Sequence, residues 1–179
     1  TDELKMFHTG KFSDVQSFDF DSQSKTLWFN IDNQLFYLKD GKIGTHDNLV
    51  TAIKVRKQLG NYAFIGSSSG IYINNERISN LWTRAIEFDE TTGMPWLATN
   101  KGLLGLMLKN DKWEIKYNLL PDTQILSVDI DEAKSIVYTL TFDGSVYSVS
   151  ANGETDLICK VNEKNQVFKF KQHNSTLFF

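Results

Sequence analysis

The chain is built from short apolar runs of three to six residues, separated by polar turns, and the runs recur in register. Aromatic anchors stand at Trp28, Phe64, Trp96 and Tyr138, spaced 36, 32 and 42 residues apart. Six positions after each anchor come Gln34, Gly70, Gly102 and Gly144, and a second apolar run follows each of them. Phe20, Phe88 and Ile130 lie eight residues before their anchors, and Val55 lies nine before. A partial fifth copy ends the chain, with Phe170 eight residues before Phe178.

This spacing predicts four short strands per unit. Strand A covers 17–20, 52–55, 85–88, 127–130 and 167–170. A polar A–B turn follows, and strand B carries the anchor. A short B–C loop leads to strand C. Polar hairpins such as Lys39-Asp40-Gly41-Lys42 and Lys109-Asn110-Asp111-Lys112 then lead to a more polar strand D. Asp-Gly and Asn-Gly pairs mark tight hairpin turns. No stretch holds a helical period. A four-strand unit repeating near 36 residues indicates an all-β fold, a β-propeller of four-stranded antiparallel blades. A solenoid competes, but its repeat is usually shorter or more helical. Polar D strands suit the outer edge of a blade, where charge blunts edge-to-edge pairing.

The blades are expected at about 15–48, 49–83, 84–124 and 125–164. Residues 4–13 match the C, hairpin and D part of a unit, and the last residues match A, turn and B. A closing blade made of 165–179 plus 1–14 would complete a five-bladed ring in a single propeller domain. The alternative is a fragment of a larger propeller. Its open blade edges would then invite pairing between chains into a homo-oligomer.

Phe64-Ile65-Gly66-Ser67-Ser68-Ser69-Gly70-Ile71 resembles the bacterial two-component regulator propeller repeat. Trp96-Leu97-Ala98-Thr99-Asn100-Lys101-Gly102-Leu103 follows the same pattern, with Ala98 replacing the first glycine. The copies at Trp28 and Tyr138 are more degenerate. No Trp-Asp dipeptide points to WD40 repeats, and no Gly-Gly pair points to kelch repeats. In the family it resembles, such repeats form the periplasmic sensing region of membrane-spanning histidine kinases and sense carbohydrate fragments or other small molecules. The resemblance implies a signal-transduction sensor module in the periplasm or outside the cell. It carries no ligand identity, because the repeat motif is structural. The sequence has no nucleotide-binding motif and no phospho-acceptor helix, so the family reading places kinase and membrane segments outside it.

Composition narrows the function classes. Aromatic content is 13%, with only 2 Pro, which favours strands. Net charge is -3 and the 19 Lys and Arg are scattered, so no nucleic-acid footprint is expected. No apolar run approaches the roughly 20 residues of a membrane helix. Thr1-Asp2-Glu3-Leu4-Lys5-Met6-Phe7 does not read as a signal peptide. Cys159 sits in a strand-like run and reads as a small buried side chain. His8, His46 and His173 lie far apart, in turn-like contexts. Asn174-Ser175-Thr176 matches a glycosylation acceptor within a predicted turn, and carries no weight in a bacterial protein.

Candidate chemistry is sparse. The Gly66–Gly70 loop lacks the Gly-Lys-Ser/Thr ending of a phosphate-binding loop, and it recurs in altered form in other units. The pairs Asp19/Asp21, Glu87/Asp89 and Asp129/Asp131 put two acids on one face of a strand, but each second acid begins an A–B turn. One pair cannot supply the six to eight oxygens of a Ca²⁺ site. No histidine offers a nucleophile a base. The expectation is therefore no catalytic residues, no metal and no cofactor. Any ligand should meet the face formed by the B–C loops and the D-to-A connections. That face offers Asp32, Asn33, Ser68, Ser69, Asn100, Lys101, Phe142 and Asp143, with Trp82 from a connection. An aromatic with amides and a cation suits a small polar ligand or a carbohydrate. The reading is a non-catalytic ligand-sensing module. The alternative is a protein–protein interaction scaffold.

Overall fold

The computed structural model describes residues 15–21, 24–31, 34–45, 53–74, 76–161, 171–173 and 176–178. They form four antiparallel four-stranded sheets and one hairpin, in chain order. The first sheet is β1 (Val15–Asp21), β2 (Thr26–Ile31), β3 (Gln34–Lys39) and β4 (Lys42–Thr45). The second is β5 (Ile53–Leu59), β6 (Tyr62–Ser67), β7 (Gly70–Ile73) and β8 (Glu76–Ser79). The third is β9 (Thr83–Asp89), β10 (Met94–Thr99), β11 (Gly102–Lys109) and β12 (Lys112–Leu119). The fourth is β13 (Ile125–Asp131), β14 (Ile136–Thr141), β15 (Ser145–Val149) and β16 (Thr155–Lys160). The hairpin is β17 (Lys171–His173) with β18 (Thr176–Phe178).

Each sheet runs A to D in sequence order, and the A strands adjoin one another: β1 meets β5, β5 meets β9, β9 meets β13 and β13 meets β17. This is the blade arrangement of a propeller-like fold. The expected hairpins form. Asp40 and Gly41 take φ of 50° and 73°, and Asn110 and Asp111 take 49° and 61°. Positive φ at both central residues is what a twisted two-residue hairpin requires.

The anchor aromatics have a common task. Each of the first three faces the blade that follows it. Trp28 packs with Ile65 and Tyr72 of the second blade. Phe64 meets Phe88 at 5.2 Å and Trp113 at 5.0 Å, on the third blade, among Ile86, Leu97 and Leu104. Trp96 joins Ile125, Val128 and Val137 of the fourth. Tyr138 lies with Leu126, Leu140, Val146 and Val161 on the fourth blade's far face. The core is thus a row of interfaces between blades, which explains why strands B and C read as nearly continuous apolar runs.

Strand A extends beyond its predicted end. In β5 it takes in Arg56, Lys57 and Gln58, residues whose polarity suggested a turn. Partners from neighbouring A strands meet them. Asp19 Oδ2 accepts from the Gln58 amide at 3.0 Å and lies 3.5 Å from Arg56 Nη1. Lys57 Nζ lies 3.4 Å from Glu87 Oε2. Between the third and fourth blades, the Glu90 amide donates to Glu132 Oε1 at 3.0 Å. The acids that look like paired carboxylates therefore bridge blades and cap turns. Burial pushes the Asp19 carboxyl up and the Arg56 guanidinium down. Lys171–His173, expected in a turn, forms β17. Cys159 is exposed, contrary to expectation, because every residue of the outermost strand β16 faces solvent.

The face of the first sheet turned away from the second blade is apolar and open. Phe18 and Phe20 lie on it at 73% and 58% exposure. Phe18 pairs with Phe29 and Phe29 with Phe36, so all of these aromatics share that face. The Phe29 and Phe36 rings stack with centroids 5.7 Å apart.

The repeat glycines answer to a close approach. A Cβ at Gly102 (φ 113°) would stand 2.6 Å from the carbonyl oxygen of Leu119, the last residue of strand D. At Gly70 (φ 145°) it would meet the carbonyl oxygen of Ser79, again the last residue of strand D. Strand C can begin against the exit of strand D only with glycine there. Gly102→Ala should lower stability by about 1–3 kcal/mol from backbone strain and the clash. At roughly 2–4 °C per kcal/mol, thermal denaturation will show a drop of several degrees. Gly93→Asn is the control. Gly93 has positive φ (68°) but nothing within 4 Å of a built Cβ, so its Tm should barely move.

Candidate functional site

In each of the four four-stranded sheets, strand A begins with a β-bulge at the end of the blade where the B–C loops lie. Thr83 and Ala85 of β9 pair with the consecutive Thr99 and Ala98 of β10, which leaves Arg84 as the extra residue. Lys54 occupies that place in the second blade, Leu126 in the fourth and residue 16 in the first. A bulge breaks the alternation of the strand and re-aims one side chain. At the third blade it brings Arg84 over its own connection. The guanidinium carbon lies 4.2 Å from the centroid of the Trp82 ring.

The B–C loop closes over the same place. The Asn100 amide donates to the Trp82 carbonyl at 2.9 Å, and the Gly102 amide donates to the Thr123 carbonyl at 2.7 Å. One loop thus grips the connection entering its own blade and the connection leading to the next. Buried Thr99 fixes the loop from within: its hydroxyl donates to the Gly102 carbonyl at 2.6 Å and accepts from the Lys101 amide at 3.1 Å. The result gathers Trp82, Arg84 and Asn100. Each has a buried polar atom with no hydrogen-bond partner: Trp82 Nε1, Arg84 Nε and Asn100 Oδ1. Buried polar groups are normally satisfied, so three orphans in adjoining positions mark a place the protein alone leaves incomplete. Lys101 is exposed beside them and joins no ion pair among the described residues.

The other expected residues divide. Asp32 and Asn33 lie outside the described residues. Ser68 is exposed at the tip of its loop. The Ser69 hydroxyl contacts Ser67 Oγ at 2.9 Å and the Tyr72 hydroxyl at 3.4 Å. Asp143 is held inside its own loop. The Thr141 hydroxyl donates to it, as do the Ser145 amide at 3.2 Å, the Ser145 hydroxyl at 3.1 Å and Lys160 Nζ at 3.1 Å. These donors, Thr141 foremost, hold its carboxyl well below the usual carboxylate range. In the fourth blade the places of Trp82, Arg84 and Asn100 belong to Gln124, Leu126 and Phe142. The Phe142 amide repeats the grip on the connection, donating to the Gln124 carbonyl at 2.8 Å. Phe142 is 65% exposed. Among the described residues, the orphaned cluster belongs to the third blade.

Sequence reasoning found Trp82 and Asn100 but missed Arg84, because strand A was read from Ala85. In the first, third and fourth units the residue just before that reading is the bulge position, whereas in the second the bulge, Lys54, lies inside it; aligning the units on the anchor aromatic would have pointed to Arg84. A cleft of about 340 Å³ also opens at the opposite end of the blades, lined by Tyr62, Glu76, Asp111, Lys112 and Trp113. Its charged side chains are exposed, and the Trp113 ring packs edge-on against Tyr62 and Phe64. It is a crease between two blades, and the candidate site rests on the orphaned cluster.

No family model matches the chain, and no curated protein matches it. Solved structures do. The extracellular domain of the putative one component system BT4673 from B. thetaiotaomicron superposes with a TM-score of 0.72 at 16% identity, over 93% of this chain and 26% of that one. The extracellular domain of the putative hybrid two component system BT3049 from the same organism gives 0.70 at 18% identity, over 93% and 25%. Virginiamycin B lyase from Staphylococcus aureus, in a catalytically inactive form with quinupristin, gives 0.67 at 11% identity, over 94% and 63%. The likeness is one of fold. The chain spans about a quarter of the length of the two sensor-system domains. Among the described residues no helix is long and apolar enough to cross a membrane.

The loop carboxylates set an acid limit. Burial works against ionised Asp89, but hydrogen bonds from Thr92 and Thr91 outweigh it and hold the pKa below the ordinary value. Asp143 is lowered as well. A depressed carboxylate stabilises the fold above its unfolded pKa, near 4, and the contribution is lost as pH falls through the folded value. Tm should therefore hold from pH 7 to about 5 and fall below about 4. Asp89→Ala should cost about 1 kcal/mol at pH 7 and flatten the acid limb, as followed by circular dichroism. An acid limb as steep as that of the parent would contradict the assignment.

Proposed function

We propose that this chain is a non-catalytic ligand-sensing propeller module of a bacterial two-component-type sensor, working in the periplasm or outside the cell. It recognises a small polar ligand at the B–C face, and Trp82, Arg84 and Asn100 carry the contact. The observation behind this reading is the set of three orphaned buried polar atoms at the mouth of the third blade. An aromatic face, two donors and an acceptor in one place make up a small-molecule site of the ordinary kind. The sensor-system domains of like fold, together with the repeat resemblance, favour signalling over catalysis. Residues 165–179 and 1–14 form the closing blade of a five-bladed ring in this account. The open Phe18 and Phe20 face supports it, because each later blade receives the anchor aromatic of the blade before it.

That same face favours a second reading, an interaction scaffold, since large exposed apolar patches mark partner surfaces.

Two experiments separate these readings. A thermal-shift panel of monosaccharides, oligosaccharides and small metabolites should include compounds that raise Tm in the parent protein but not in Trp82→Ala or Asn100→Ala. If no compound stabilises the parent while a protein partner is captured through Phe18 and Phe20, the scaffold reading stands instead. Deleting residues 1–14 should lower Tm and turn a monomer into a concentration-dependent oligomer by light scattering. An intact protein that already oligomerises in this way would contradict the closed ring.

A further inference from the structure

Arg84 is the cation in the described structure whose setting calls for a missing anion. Buried Arg56 also lies over a tryptophan ring, 4.2 Å from the Trp28 centroid, with its Nη1 lacking a hydrogen bond, but it has the Asp19 carboxylate at 3.5 Å. Lys57, Lys134 and Lys160 have Glu87, Asp131 and Asp143. Arg84 has none among the described residues, and its Nε is buried without an acceptor. Among the described residues its positive charge rests on the face of Trp82, 4.2 Å from the ring centroid. Cation–π attraction offsets part of the lost hydration but gives the guanidinium's N–H groups no acceptor. The Trp82 Nε1 donor is orphaned in the same way, and exposed Lys101 adds a second cation beside Asn100. The donors outnumber the acceptor, and both charges are positive.

We infer that the ligand of this site is a hydroxy-carboxylate, whose carboxylate pairs with Arg84 and whose neighbouring hydroxyl donates to Asn100 Oδ1. The planar guanidinium fork matches a carboxylate in two-point geometry, which a lysine cannot reproduce. In the ligand-free arrangement the guanidinium covers the Trp82 ring, and the three orphaned atoms are closed to solvent. Pairing with a carboxylate draws Arg84 off the ring. The ring face is then free for the apolar side of the ligand, and Lys101 adds long-range attraction. The inference rests on the reading of the B–C face as the ligand site and names the class of ligand that it takes.

Titration of the full-length protein at low salt should use D-galacturonate, acyclic D-gluconate and neutral D-galactose as probes, read by calorimetry and Trp fluorescence. At least one of the two acids should bind tenfold or more tighter than galactose, with a change in Trp emission as Arg84 leaves the ring. A preference for galacturonate assigns a ring-form sugar acid, and a preference for gluconate a free hydroxy acid. Arg84→Gln should lose tenfold or more of acid affinity while keeping its Tm, and Arg84→Lys should recover only part of it. If Arg84→Gln does not fold, raising salt from about 10 to 150 mM on the parent replaces it, since screening weakens a charge-led contact and leaves a neutral one unchanged. Galactose binding as tightly as the acids, and lost in Trp82→Ala, would overturn the hydroxy-carboxylate while leaving the ligand site standing. No binding by any probe up to about 10 mM would overturn both.

Discussion

Three of the four sheets turn on one close approach: the start of strand C lies against the carbonyl at the end of strand D within the same blade. At Gly70 and Gly102 no side-chain atom fits between them. At Gly144 the equivalent contact is the Val161 carbonyl, 3.0 Å from a built Cβ. The approach brings the B–C loop over the connection between blades. The loop can then hydrogen-bond the backbone on both sides, as Asn100 and Gly102 do with Trp82 and Thr123. A buried hydroxyl at Ser67, Thr99 or Thr141 ties each loop from inside. The placing of Trp82 beside Asn100 follows from this packing, because the hydrogen bonds that close the blade join their backbones.

Blade-to-blade cohesion has two layers. The anchor aromatics supply apolar contact between B and C strands, and carboxylates on the A strands supply polar bridges nearer the axis. Asp19, Lys57 and Glu87 hold equivalent places opposite the anchors, and Asp19 accepts from the Gln58 amide while Lys57 pairs with Glu87 in the next interface. Since every blade offers one face to its predecessor and one to its successor, the open Phe18 and Phe20 face is the socket of that system left uncovered among the described residues.

Much of this was legible in the sequence. The order of strands and the hairpins follow from the period of the anchors and from Asp-Gly and Asn-Gly turns. The reach of strand A was not legible, since Arg56, Lys57 and Gln58 look like turn residues until their partners on β1 and β9 are known. Arg84 was hidden for a related reason: a bulge adds one residue without changing the apolar pattern around it. Asp143 looked available as a ligand group, and only the hydrogen bonds of its loop show it engaged by Thr141, Ser145 and Lys160. Cys159 misled because β16 has the composition of a buried strand at the exposed edge of its sheet.

The central claim is that the glycine approach holds the loop that builds the site. Amide hydrogen exchange on Gly102→Ala tests it directly, because exchange resolves local opening within a folded protein. The Asn100 and Gly102 amides, which donate to Trp82 and Thr123, should exchange much faster than in the parent. Amides in the β13–β14 ladder should keep their protection. Unchanged protection at positions 100 and 102 in a folded Gly102→Ala protein would contradict the account.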